Sequence, residues 1–232
     1  MRINIVTGFP DFFEGPLTTS IMAKAIQKKK VTISLFDLKD YTISKHKTID
    51  DQPFAGKPGM ILKPEPFFRV MEEINIRFGK HPVVYFGPEG KQFNQEMAKE
   101  MQQWECMTFL CGHFKGIDFR VIEKFVTEFI SIGDFIVTGG EIAAAVVTDA
   151  IVRLIPGVLN DLNSATTDSF EDGLLDCDYY TRPENYQDMR VPDVLLSGHH
   201  KQIENWKFEE KIKKTKKFRP DLYQTYMNRK GR

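Results

Sequence analysis

The chain is poor in cysteine, has no long apolar run and carries no net charge, and each shortage narrows what it can be. Among its 232 residues are three cysteines. Cys106, Cys111 and Cys177 are an odd number without metal-ligand spacing. That argues against a disulfide framework and against a zinc site, and it fits a reducing cytoplasm. Apolar runs fall far short of the ~20 residues of a membrane-spanning helix, so no membrane partner is expected. The opening Met1-Arg2-Ile3-Asn4-Ile5-Val6-Thr7-Gly8 lacks the apolar stretch and cleavage site of a signal peptide. No dinucleotide fingerprint, phosphate loop, internal repeat or low-complexity tract is present.

The charge balance is 32 basic against 32 acidic residues. Taken alone, neutrality argues against a nucleic-acid partner. Position changes that reading. Residues 1–159 hold 19 basic and 19 acidic residues, residues 160–200 hold 2 and 9, and residues 201–232 hold 11 and 4. A neutral body is followed by an acidic stretch and a basic end.

Hydrophobic residues make up 41% of the chain and aromatics 12%, enough for a core. Strands are expected at 3–8, 31–36, 82–86, 107–111 and 135–137. Helices are expected at 11–28, 64–78, near 92–102, around 117–125, and at 141–154. Residues 39–60 read as a long loop of the kind that is functional or disordered. The alternation over the first 155 residues predicts an α/β fold with a parallel sheet. A polar linker over 160–180 and a small helical domain over 181–232 follow.

Three glycine-bearing turns end expected strands: Phe86-Gly87-Pro88-Glu89-Gly90, Cys111 to Gly116, and Ser131 to Glu141. Each alone is an ordinary turn. Together, at one edge of a parallel sheet, they mark a ligand site. Asp149 and Arg153, four apart, read from spacing as an intrahelical ion pair. Asp168 reads as a solvated loop carboxylate. The run Lys211 to Arg219 is either a solvated helix face or a phosphate-contacting patch. His199-His200 reads as a surface or substrate-contact pair, not a metal site.

Several stretches together resemble the bacterial tRNA (guanine-N1)-methyltransferase family, part of the SPOUT superfamily of trefoil-knotted methyltransferases. They are Thr48 to Pro53, Pro58-Gly59-Met60, Ser131 to Glu141, Arg153 to Leu159, Ser164 to Phe170, Gly173 to Cys177, Tyr180 to Pro183, and Val191 to Gly198. The resemblance spans about residues 1 to 219. It implies a deep trefoil knot in a SPOUT-like cofactor-binding domain (1–159), a linker (160–180) and a helical tRNA-binding domain (181–232). It implies methyl transfer from S-adenosylmethionine to N1 of the guanosine 3′ of the tRNA anticodon (position 37). The enzyme would be a homodimer with its site at the subunit interface.

By position, cofactor contacts fall on Tyr85, Phe86, Gly87, Pro88, Gly112, Ile132, Gly133, Asp134, Phe135, Ile136, Val137, Gly139 and Gly140. Substrate contacts fall on Asp50, Ser164, Ser197, Gly198 and His200. Asp168 and Arg153 match the catalytic pair. The residue types suit the chemistry. Guanine N1 must lose a proton, which a carboxylate can take, and charge grows on O6, which a guanidinium can stabilise.

The chain departs from the family beside that site. His113, Lys115 and Phe119 stand where the family carries an arginine and two acids. The family links the acid at position 115 to magnesium and to reading the neighbouring guanosine, and Lys115 puts both in question. Two readings follow: the same reaction with altered metal dependence or neighbour preference, or a diverged paralogue that binds RNA with another target or reduced catalysis.

Overall fold

The structure, a computed structural model, describes residues 1–56, 58–159 and 167–230. Strand β1 (Arg2–Thr7) sends Ile3 and Ile5 into one apolar cluster and Val6 into another, and all three are fully buried. Such a strand needs cover on both faces, as parallel sheets do. β1 pairs in parallel with β2 (Thr32–Asp37) and β6 (Cys106–Leu110). Beyond β6 lie β5 (Val83–Gln92) and β7 (Glu128–Ser131), giving the order β2-β1-β6-β5-β7. A short antiparallel pair, β3 (Asp50–Asp51) and β4 (Ile61–Leu62), stands apart. The expected α/β class with a parallel sheet is what the chain adopts.

One face is covered by α2 (Ser20–Gln27), α4 (Gln95–Met101) and α6 (Gly140–Val152), whose Ala25, Met101, Ala144, Val147 and Ile151 pack with Ile3, Ile5 and Phe109. The other face takes α3 (Pro64–Phe78) and α5 (Phe119–Phe125). Phe67, Val70, Met71 and Ile74 of α3 recur at helical spacing and are fully buried. Each such side chain contributes roughly 1.5–3 kcal/mol by leaving water.

Two expectations need correction. The helix expected over 11–28 is three pieces: a 3-10 turn at Pro10–Phe13, α1 (Glu14–Thr18) and α2. Ser20, at a φ of 52°, interrupts it. The strand expected at 135–137 is irregular backbone, and the strand lies earlier, at β7. Phe135-Ile136-Val137 looks apolar enough for a core, yet Ile136 is 92% exposed. Glu128 and Phe129, half of β7, face solvent, which hides this edge strand from a hydrophobicity pattern.

The chain divides into two compact units, Met1–Asn160 and Asp161–Arg232. The second holds a two-stranded ribbon, β8 (Asn185–Tyr186) with β9 (Met189–Arg190), and the helices α7 (Asp193–Leu196), α8 (His200–Phe218) and α9 (Pro220–Lys230). From Thr167 the stretch read as linker is folded onto α8. The Leu175 amide donates to Thr215 Oγ1 at 2.9 Å, and that hydroxyl donates to the Lys211 carbonyl at 2.7 Å. Lys211 Nζ meets Asp172 at 2.6 Å, and Lys214 pairs with Asp178. Among the described residues no helix is long and apolar enough to cross a membrane.

Candidate functional site

The carboxyl ends of β5, β6 and β7 bring the three glycine-bearing turns to one cavity of about 280 Å³. A bulge in β5 makes its first wall. Phe86 and Lys91 both pair with Ile130, so residues 87–90 loop out and Gly87-Pro88 line the cavity. Gly112 to Gly116, after β6, form the second wall. Ile132 to Gly140, after β7, form the third. Every expected cofactor residue lies in this lining except Asp134, which is exposed in the same third turn.

The second and third walls are tied through backbone. The Gly140 amide donates to the Gly112 carbonyl at 2.7 Å, and His113 bridges Gly139 in an antiparallel contact. This approach requires glycine. A Cβ on Gly140 would stand 3.0 Å from Cys111 Cα and 3.1 Å from the Gly112 nitrogen. Residues 58–62 run beside the second turn: the Lys115 amide donates to the Met60 carbonyl at 2.9 Å, and the Leu62 amide to the Gly116 carbonyl at 3.0 Å. The Lys115 alkyl chain lies against Gly59, and the residue lines the cavity.

Two titratable groups at the cavity are shifted toward their neutral forms. Burial, then the nearby Glu89 carboxylate, pushes the Tyr85 phenol above its ordinary range. Burial, then Glu141, pushes the Cys111 thiol well up, so it is no nucleophile at neutral pH. Much of the lining is glycine and apolar side chain, with Lys115, His113, Ser131 and Thr138 among it, which suits a flat heterocycle.

The remaining expected residues lie elsewhere. Asp50 is half-buried on β3, opposite Leu62. Arg153 is half-buried and caps the C-terminal end of α6. Because α6 begins at the cavity with Gly140 and rises 1.5 Å per residue, Arg153 sits roughly 20 Å along its axis from there. Asp168 is half-buried in the second unit, where its carbonyl accepts from the Glu171 amide at 3.4 Å. Ser197, Gly198 and His200 are exposed where α8 begins. Ser164 lies outside the described residues.

Sequence reasoning missed a polar cluster beside the cavity. Thr7 Oγ1 donates to Glu141 Oε1 at 2.7 Å, and His113 Nδ1 stands 3.4 Å from Glu141 Oε2. Glu141 was visible after Gly139-Gly140, but Thr7 is 134 residues away in sequence and His113 is 28. A second cavity, lined by Phe9, Phe12, Lys39, His113 and Glu141 among others, adjoins the first and shares His113, Thr138 and Gly139 with it. Among the described residues no three His, Cys, Asp or Glu side chains gather as a metal set.

Known proteins share this sequence along almost its whole length. A protein of Porphyromonas gingivalis named tRNA (guanine-N(1)-)-methyltransferase is 47% identical over 222 residues, 96% of this chain and 99% of the relative. Proteins of the same name from Lachnospira eligens (45% over 230 residues, 99% and 98% of the two chains) and Brevibacillus brevis (48% over 222 residues, 96% and 91%) are similarly close. The family described as tRNA (Guanine-1)-methyltransferase TrmD matches residues 1–225. With a match of that extent, the glycine-walled cavity sits in a chain that belongs to the tRNA (guanine-1)-methyltransferase TrmD family.

Proposed function

We propose that the protein transfers a methyl group from S-adenosylmethionine to N1 of the guanosine 3′ of the tRNA anticodon. The observation that carries this reading is the cavity at the ends of β5, β6 and β7, which gathers twelve of the thirteen expected cofactor residues. Apolar side chains suit the cofactor's adenine, and backbone groups of residues 132–140 suit its polar edge. When bound, the cofactor supplies a methyl group on a positively charged sulfur.

The chain's own residues do the rest. Asp168 takes the proton from guanine N1 as that nitrogen becomes nucleophilic. Arg153 stabilises the negative charge that grows on O6. Lys115, a cation in the cavity wall, does not suit a magnesium ion there.

The site is completed by a second copy of the chain. An arginine side chain cannot span the roughly 20 Å from the far end of α6 to its own chain's cavity, so the guanidinium acting there belongs to a partner. Exposed Phe135 and Ile136, at 59% and 92% in the single chain, support a surface that a second copy covers. The order β2-β1-β6-β5-β7, in which β6 enters between β1 and β5, supports the threaded, knotted form of the sheet. The second unit binds tRNA through its lysine-rich helix α8.

The test is incubation with unmodified tRNA and S-adenosylmethionine, followed by nucleoside mass spectrometry. 1-Methylguanosine at the position 3′ of the anticodon is expected. Its absence from a preparation that binds the cofactor would overturn the reading.

A further inference from the structure

We propose that His113 is a positioning residue that holds the cofactor cavity closed through a proton-dependent contact with Glu141. This rests on the cofactor reading above. Glu141 is 3% exposed and lies in the first turn of α6, directly after two glycines whose backbone lines the cavity. One carboxylate oxygen accepts from Thr7 Oγ1 at 2.7 Å. The other faces His113 Nδ1 at 3.4 Å. The imidazole is held in place by rings, Phe9 at 4.3 Å and Phe114 at 4.8 Å between centroids. Gly139 packs directly on the pair, so that any side chain there would strike both the carboxylate and Nδ1.

The contact therefore joins the turn after β6 to the turn that starts α6, two facing walls of the cavity. A buried carboxylate is costly without donors, and one of its two comes from His113. Histidine is the side chain whose ordinary charge change falls between about pH 5 and 8. With both ring nitrogens protonated, the contact is a charge-assisted hydrogen bond; with a single proton on Nδ1 it is an ordinary bond of about half the strength, and with the proton on Nε2 the bond is lost. The charged groups that line the two cavities with His113 are Glu141 from α6, Asp11 after β1, Asp37 at the end of β2, Lys39, which lies over the Phe9 ring at 5.5 Å, and Lys115 on its own turn. A more fully closed cavity binds its ligand more tightly, because less ordering remains to be done on binding. Protonation of His113 thus tightens cofactor binding without His113 taking part in the methyl transfer.

The experiment is calorimetric titration of S-adenosylhomocysteine into the full-length protein, His113→Arg and His113→Gln at pH 5.5 to 8, with thermal melts to verify folding. Wild-type Kd is expected to weaken about fivefold across the range. His113→Arg, whose charge is fixed, is expected to hold the tight value throughout, and His113→Gln the weak one. A merely structural role would shift affinity without removing the pH dependence. The same pH dependence in all three proteins, or none in the wild type, overturns the proposal. Wild-type protein that binds at no pH would overturn the cofactor reading itself.

Discussion

The two units of this chain are built on opposite terms. The first buries apolar side chains on both faces of its sheet and shapes its cavity largely from backbone, at turns where a side chain would not fit. The second has three buried residues among those described, Leu174, Cys177 and Thr215, and is tied together by hydroxyl and lysine contacts. A cavity set by packed backbone is ready before its ligand arrives. A surface of lysines and aromatic rings gains its meaning from what it meets. The proposed catalytic pair is divided between them, Arg153 in the first unit and Asp168 in the second.

The comparison can be strained from either side. The largest effect is expected from Arg153→Ala, which should lower the methylation rate roughly 10²- to 10³-fold while calorimetry finds cofactor affinity unchanged. Mixed with Gly140→Ala chains, at cofactor levels well below the wild-type Kd, where those chains are about tenfold less filled, Arg153→Ala should recover roughly a quarter of the wild-type rate. Half of random dimers are mixed, and each carries one intact site. No recovery would place Arg153 at its own chain's cavity and break the shared site.

Gly140→Ala alone presses a methyl group on the Cys111 and Gly112 backbone. It should weaken S-adenosylhomocysteine binding about tenfold and cost about 1–3 kcal/mol of stability, with tRNA retention on a filter unchanged. Thr215→Val removes an acceptor for Leu175 and a donor to Lys211. It should destabilise the second unit by about 1–2 kcal/mol, read by hydrogen exchange, and leave protection in the sheet intact.

The smallest effect sorts the lysines of α8. Lys213 and Lys214 are paired with Glu210 and Asp178. Lys216 and Lys217 lie over the rings of Tyr223 and Phe218, with no acidic partner among the described residues. Lys216→Ala with Lys217→Ala should lower the salt slope of tRNA binding by about 1–2, more than the Lys213 and Lys214 pair does. Equal slopes would show that the ion pairs do not hold the first two lysines back.

Much of the cavity was legible in the sequence because its turns carry glycines at strand ends, a local signal. The core of α3 was legible for the same reason, through helical spacing. What escaped depends on distant partners. The Asp172 and Asp178 contacts with α8 turn a polar stretch into folded structure, though its own residues show no periodicity. The Thr7–Glu141–His113 cluster joins three separate elements. β7 escaped because an edge strand exposes half its residues, while Phe135 and Ile136, in an apolar run that reads as a strand, are exposed on irregular backbone.

The division of labour is tested most directly by Asp168→Asn, measured twice on one preparation: S-adenosylhomocysteine affinity by calorimetry, and 1-methylguanosine formed on tRNA by mass spectrometry. A Kd within about twofold of wild type, with a rate reduced at least about 100-fold, is the predicted result. A wild-type rate, or an affinity that falls as far as the rate, would contradict it.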